Sequence, residues 1–133
     1  MKKILVYLCL FFMASVALAD KIVLDNKTNY PEKDNPGKIA VQWVASAEAT
    51  QEANKTIING SPLDPGSLII LSQKGQIPLT PPNHAHYFRL VVWSTAKREP
   101  DLLTNWVDII PNKTYIVNQD QLVPAILMSG AGC

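Results

Sequence analysis

His86-Tyr87-Phe88-Arg89-Leu90-Val91-Val92-Trp93-Ser94 is the longest run rich in β-branched and aromatic residues, bounded by Pro81-Pro82 before it and by Lys97 to Pro100 after it. Such a run between turn signals predicts a central strand. Side chains alternate across a strand, so Phe88, Leu90 and Val92 make one apolar face, while Tyr87, Arg89, Val91 and Trp93 make the other. The first face is expected to be core. The second mixes rings with a cation, and what covers it decides where a binding surface can lie.

Working outward, a periodicity of two recurs on both sides. Lys21 to Leu24 reads as a short first strand, closed by the turn-rich Asp25 to Pro31. Lys38 to Ser46 alternates Ile39, Val41, Trp43 and Ala45 against Lys38, Ala40, Gln42, Val44 and Ser46, a half-buried strand with Trp43 inward. Ala45 to Asn54 favours a turn of helix, too short to be stable alone. Lys55 to Asn59 reads as a brief strand ended by Asn59-Gly60, and Ser67 to Gln73 and Gln76 to Leu79 as two more. Thr95 to Leu103 is a charged loop, followed by strands at Asn105 to Ile110 and Lys113 to Asn118. Leu122 to Met128 is a last apolar run, and Pro124 within it cannot donate to a ladder, which places it at a sheet edge. Asn-Lys-Thr recurs at Asn26, Asn54 and Asn112 without a fixed period, so it marks turns rather than a structural repeat.

The N-terminus sets the address. Met1-Lys2-Lys3 is basic, Ile4 to Val16 is almost wholly apolar, and Ala17-Leu18-Ala19 supplies the small-x-small pattern of a cleavage site. Residues 1–19 are therefore expected to be a bacterial-type signal peptide, with lipidation at Cys9 not expected, and residues 20–133 a single domain in the periplasm or outside the cell. Removal of the first 19 of 133 residues leaves 114; it takes Lys2 and Lys3 from the 12 Lys plus Arg, leaving 10 against 11 Asp plus Glu, a net charge of −1. That balance argues against a nucleic-acid partner, which needs a basic footprint, and against a polybasic membrane patch. No insertion into a membrane is expected after cleavage.

Chemistry-bearing constellations are few. His84-Ala85-His86 is metal-like, because residues two apart on a strand share a face and both imidazoles reach one ion. Closing such a site needs two further ligands, for which Met128 and Cys133 would suit copper and a carboxylate would suit zinc. No serine stands in a glycine-flanked nucleophile turn, and no Gly-rich phosphate loop is present. Asp101, Asp108, Glu48 and Glu52 are scattered along the chain. Tyr87, Arg89 and Trp93 share a face of the central strand, and Trp106 and Asp108 share one on the expected neighbour. If the two strands pair through Thr95 to Leu103, Arg89 lies near Asp108 and Trp93 beside Trp106, rings flanking a polar pair as in sugar- or peptide-binding surfaces. The bland reading of that face is a second, partly covered side of the sheet. Cys133, the one cysteine left in the mature chain, is expected to be exposed and to join two copies by an intermolecular disulfide.

Five short pieces, Val41-Gln42-Trp43-Val44, Leu79-Thr80-Pro81-Pro82, Phe88-Arg89-Leu90, Arg98-Glu99 and Ile110-Pro111, faintly resemble, in that order, the first domain of periplasmic pilus chaperones, an immunoglobulin-like sandwich. The resemblance implies an immunoglobulin-like fold and assigns no function. The expected architecture is all-β, a single immunoglobulin-like β-sandwich of about seven to eight short antiparallel strands. The expected function is that of a non-catalytic binding module for a protein or carbohydrate, without cofactor. A periplasmic copper or zinc protein using His84 and His86 is the alternative, and a secreted hydrolase the third.

Overall fold

The computed structural model describes residues 21–33, 37–96 and 98–129. The expected leader, its Cys9 and cleavage site, and Cys133 lie outside those residues. The order of elements is β1 (Ile22–Lys27), β2 (Lys38–Val44), α1 (Ala47–Ile58), β3 (Leu68–Ile70), β4 (Gly75–Leu79), β5 (Tyr87–Trp93), β6 (Leu102–Leu103), β7 (Val107–Asp108), β8 (Thr114–Asn118) and β9 (Val123–Pro124), with single 3-10 turns at Pro65–Ser67, Gln119–Gln121 and Ala125–Ser129. The chain is mostly β, with two sheets and one short helix. Among the described residues no helix is long and apolar enough to cross a membrane.

Strand β5 sits inside a six-stranded sheet of order β3-β2-β5-β6-β9, with β7 also paired to β5. Its seven residues pair antiparallel with all of β2, from Lys38 opposite Trp93 to Val44 opposite Tyr87. The second sheet has three strands, β4-β1-β8. There β4 is antiparallel to β1, whereas β8 runs parallel to it, a departure from the expected all-antiparallel ladder. Strand β9 ends the larger sheet, the edge position that Pro124 requires.

One core cluster draws on both sheets: Ile22 and Leu24 from β1, Ile39, Val41 and Trp43 from β2, Phe88, Leu90 and Val92 from β5, and Tyr115 and Val117 from β8. Phe88 anchors it, edge-on to Tyr115 with centroids 4.9 Å apart and tilted against Trp43 at 5.8 Å. These are separations at which ring quadrupoles attract. The opposite face of the six-stranded sheet has its own cluster, in which Ala40, Val91, Trp93 and Leu103 pack with Ile57 of α1, Leu63 and Ala125.

Helix α1 replaces the turn of helix expected over Ala45 to Asn54 and the strand expected over Lys55 to Asn59. Ser46 caps its start, its hydroxyl accepting from the Ala49 N–H at 3.1 Å. Its end is a Schellman motif: Gly60 N–H donates to the Ile57 carbonyl, Ser61 N–H to the Thr56 carbonyl, and Gly60 takes the positive φ of 72° that the motif needs. Asn59-Gly60 is thus a helix stop rather than a strand end. The three Asn-Lys-Thr triplets serve separate places. Buried Asn26 ties its turn through the Thr28 N–H and the Tyr30 carbonyl, Asn112 turns the chain at φ 67°, and Asn54 lies within α1.

Candidate functional site

The five residues expected to form a binding face do not form one surface. Arg89 is 1% exposed and Trp93 6%. Both are enclosed between the six-stranded sheet and the segments that cross it. Arg89 Nε donates to Gln42 Oε1 at 2.8 Å, and Nη1 donates to Asn54 Oδ1 at 2.7 Å. The guanidinium lies 4.1 Å from the ring centroid of Trp106, whose own Nε1 donates to Asn54 Oδ1 at 3.3 Å. Desolvation lowers the pKa of Arg89 to about 10, which still leaves it a cation at neutral pH. Charge-assisted bonds and a ring face are the means by which a buried guanidinium is tolerated.

The expected hairpin between β5 and the segment after it exists, but with a shifted register. Val91 opposes Leu103 and Val92 opposes Leu102, whereas Phe88 opposes Val107 and Tyr87 opposes Asp108. One extra residue is therefore accommodated between β6 and β7, a bulge. In the β7 register Trp106, not Asp108, reaches Arg89, and Asp108 lies opposite Tyr87. Trp93 stands apart at the other end of β5, its Nε1 donating to the Arg98 carbonyl at 3.1 Å and Lys38 Nζ lying 5.4 Å from its ring.

Tyr87 and Asp108 instead share a shallow depression of about 420 Å³ with His86 and the start of α1 at Ser46. His84 and His86 are both exposed and precede β5 rather than lying in it, so the strand alternation that would aim them together does not operate. Among the described residues no group of three or more His, Cys, Asp or Glu could hold a metal ion. Of the scattered carboxylates, Asp101 binds the N–H of Ser94 at 2.7 Å and also its hydroxyl, closing the loop after β5. Glu52 pairs with Lys55 at 3.5 Å on the outer face of α1.

A larger opening lies elsewhere, on the flank where the two sheets part. A groove of about 500 Å³ runs between β8 of the smaller sheet and the β7 and β9 margins of the larger one. Its floor is the shared core itself, since Phe88, Leu90, Tyr115 and Val117 line it. Its rim carries exposed aliphatic side chains: Val107 is 38% exposed, Val123 40% and Ile116 53%. Lys113 and Asp120 flank β8 at its two ends and also line the groove. The strand over Lys113 to Asn118 was legible from alternation, but its position as a sheet edge was not, because pairing partners are not encoded in a strand's own pattern. The only local signal was Ile116, an aliphatic residue on the outward phase of that strand. No protein family, curated protein or solved structure matches the chain.

Proposed function

We propose that the protein is an exported, immunoglobulin-like β-sandwich that acts as a binding module, released after Ala19 into the periplasm or medium, and that it takes a partner protein in the groove between its sheets. The observation that carries this reading is the groove itself: an apolar floor continuous with the core, and a rim where exposed Val107, Ile116 and Val123 stand among polar side chains, the mix of a protein-contact site. Arg89 and Trp93 are engaged inside the chain, which takes Trp93 from the aromatic face that a carbohydrate would use and favours a protein partner.

Site-specific photocrosslinking tests the reading. A photoreactive side chain placed at Val107 or Val123 in the producing cell is expected to trap a discrete adduct, and one placed at exposed Glu48 on α1 is not. Adducts that are absent at both groove positions, or identical from Glu48, would remove the groove as the binding site. Intact mass of the exported protein, expected to begin at Asp20, tests the address separately.

A further inference from the structure

The groove is bounded on one side by a strand edge, and the ladder geometry shows which main-chain groups that edge offers. Val23 is paired with Thr114, and its N–H donates to the Lys113 carbonyl at 3.0 Å. In a parallel ladder alternate residues of a strand direct both main-chain groups to the same neighbour. Lys113, Tyr115 and Val117 therefore face β1, and Thr114, Ile116 and Asn118 face outward. The Asn118 N–H donates to Gln121 Oε1 at 2.8 Å, which closes that end. Among the described residues no strand pairs with this outer edge, so it is the main chain of Thr114 and Ile116 that borders the groove.

We propose that the occupant of the groove is an extended peptide segment of a partner protein, added as a strand antiparallel to β8, with a cationic group at the Asp120 end and an anionic group at the Lys113 end. This rests on the groove being the binding site. An added strand supplies the hydrogen bonds that Thr114 and Ile116 offer, and its alternate side chains point into the space above Phe88, Leu90, Tyr115 and Val117. Antiparallel pairing is the more stable ladder per residue. Because β8 runs from beside Lys113 towards Asp120, the antiparallel segment enters with its N-terminal end at Asp120 and leaves with its C-terminal end at Lys113. Charge complementarity then fixes its polarity: basic first, apolar at alternate positions, acidic last. A second copy of the chain is a poorer occupant. Two β8 strands paired about Ile116 would set Thr114 against Asn118, whose N–H is already engaged. Tyr115 and Val117 of the second copy would also be committed to their own core rather than to this groove.

The test uses the mature chain and two synthetic peptides. One alternates valine and threonine between an N-terminal lysine and a C-terminal glutamate, and the other carries the same residues with the charged ends exchanged. The first peptide is expected to bind the tighter by about fivefold, the scale of two exposed ion pairs turned from attraction to repulsion, and to slow amide exchange at Thr114 and Ile116. The double variant Lys113→Glu/Asp120→Lys is expected to reverse the preference; both residues are exposed, and an unchanged denaturation midpoint checks the fold. Binding without protection of those amides, equal affinity for the two peptides, or no binding by the folded protein overturns the inference. So does protection already present in the free protein, whether from a dimer or from the chain's own residues. If groove crosslinks at Val107 and Val123 persist while the peptides fail, the groove reading stands and the added strand alone falls; loss of the crosslinks removes both.

Discussion

On one side of β5, Phe88, Leu90 and Val92 pack into a cluster of aliphatic and aromatic side chains, and Phe88 and Leu90 also floor the groove. On the other, Arg89, Val91 and Trp93 are about as deeply buried, yet the layer there includes a cation, two amides and an indole N–H that must all find partners. The two faces show that a mixed polar and aromatic strand face is not by itself a surface. It needs only a covering element that brings the right acceptors, and α1 brings Asn54. The difference lies in how the faces fail: the first should lose packing when a side chain is cut, the second should lose packing or satisfied polar groups depending on the residue.

The largest expected effects compare the two faces directly. Phe88→Ala and Trp93→Ala should each destabilise the protein by about 3–5 kcal/mol, the usual loss for a truncated buried aromatic. Equilibrium denaturation of both variants checks this. A loss below about 1 kcal/mol for Trp93→Ala, within the range of ordinary surface substitutions and mild ones, would return that face to the solvent and undo the comparison.

Next in size is Asn54→Ala. Its Oδ1 accepts from both Arg89 and Trp106, and a hydrogen bond to a charged group contributes about 1.5–3 kcal/mol. The expected loss is of that order, measured by the same denaturation, with the groove beside β8 unaffected. A neutral outcome would mean that the covering helix holds Arg89 by packing alone. Smaller again is Ser46→Ala, which removes the N-cap of α1 and should cost about 1 kcal/mol. The helix signal should weaken, while the cluster around Phe88, on the far side of the sheet, should keep its near-ultraviolet signature.

These same residues mark what was readable in the chain. The central strand, its partner over Lys38 to Ser46 and the proline-marked edge were legible because alternation and Pro124 are local features. Helix α1 was legible only in its first part, as a turn over Ala45 to Asn54: Thr56, Ile57 and Ile58 are β-branched, and in Ala47–Ile58 only Ile57 is buried, so its second half spoke weakly for a helix. Its stability comes from the sheet face beneath it and from the cap and Schellman motif at its ends. The register of β7 was equally hidden, since pairing leaves no mark in composition, yet a one-residue bulge decides that Trp106 rather than Asn105 stands beside Arg89. The groove escaped detection for the same reason, as it exists only where two sheets part.

The smallest expected effect concerns His84 and His86. Two imidazoles two residues apart converge on an ion when a strand holds them on one face, but β5 begins at Tyr87, and both histidines stand in the exposed approach to it. Binding of a metal to the folded state alone would stabilise it by about 2.7 kcal/mol at 100 times the dissociation constant, a shift that thermal melting resolves easily. Added zinc or copper should therefore move the melting temperature of the wild type no more than that of His84→Ala/His86→Ala. A shift present in the wild type and lost in the double variant would show that the approach to β5 closes around an ion, and with it that the open end of this strand, rather than the flank of β8, is where the chemistry of the molecule lies.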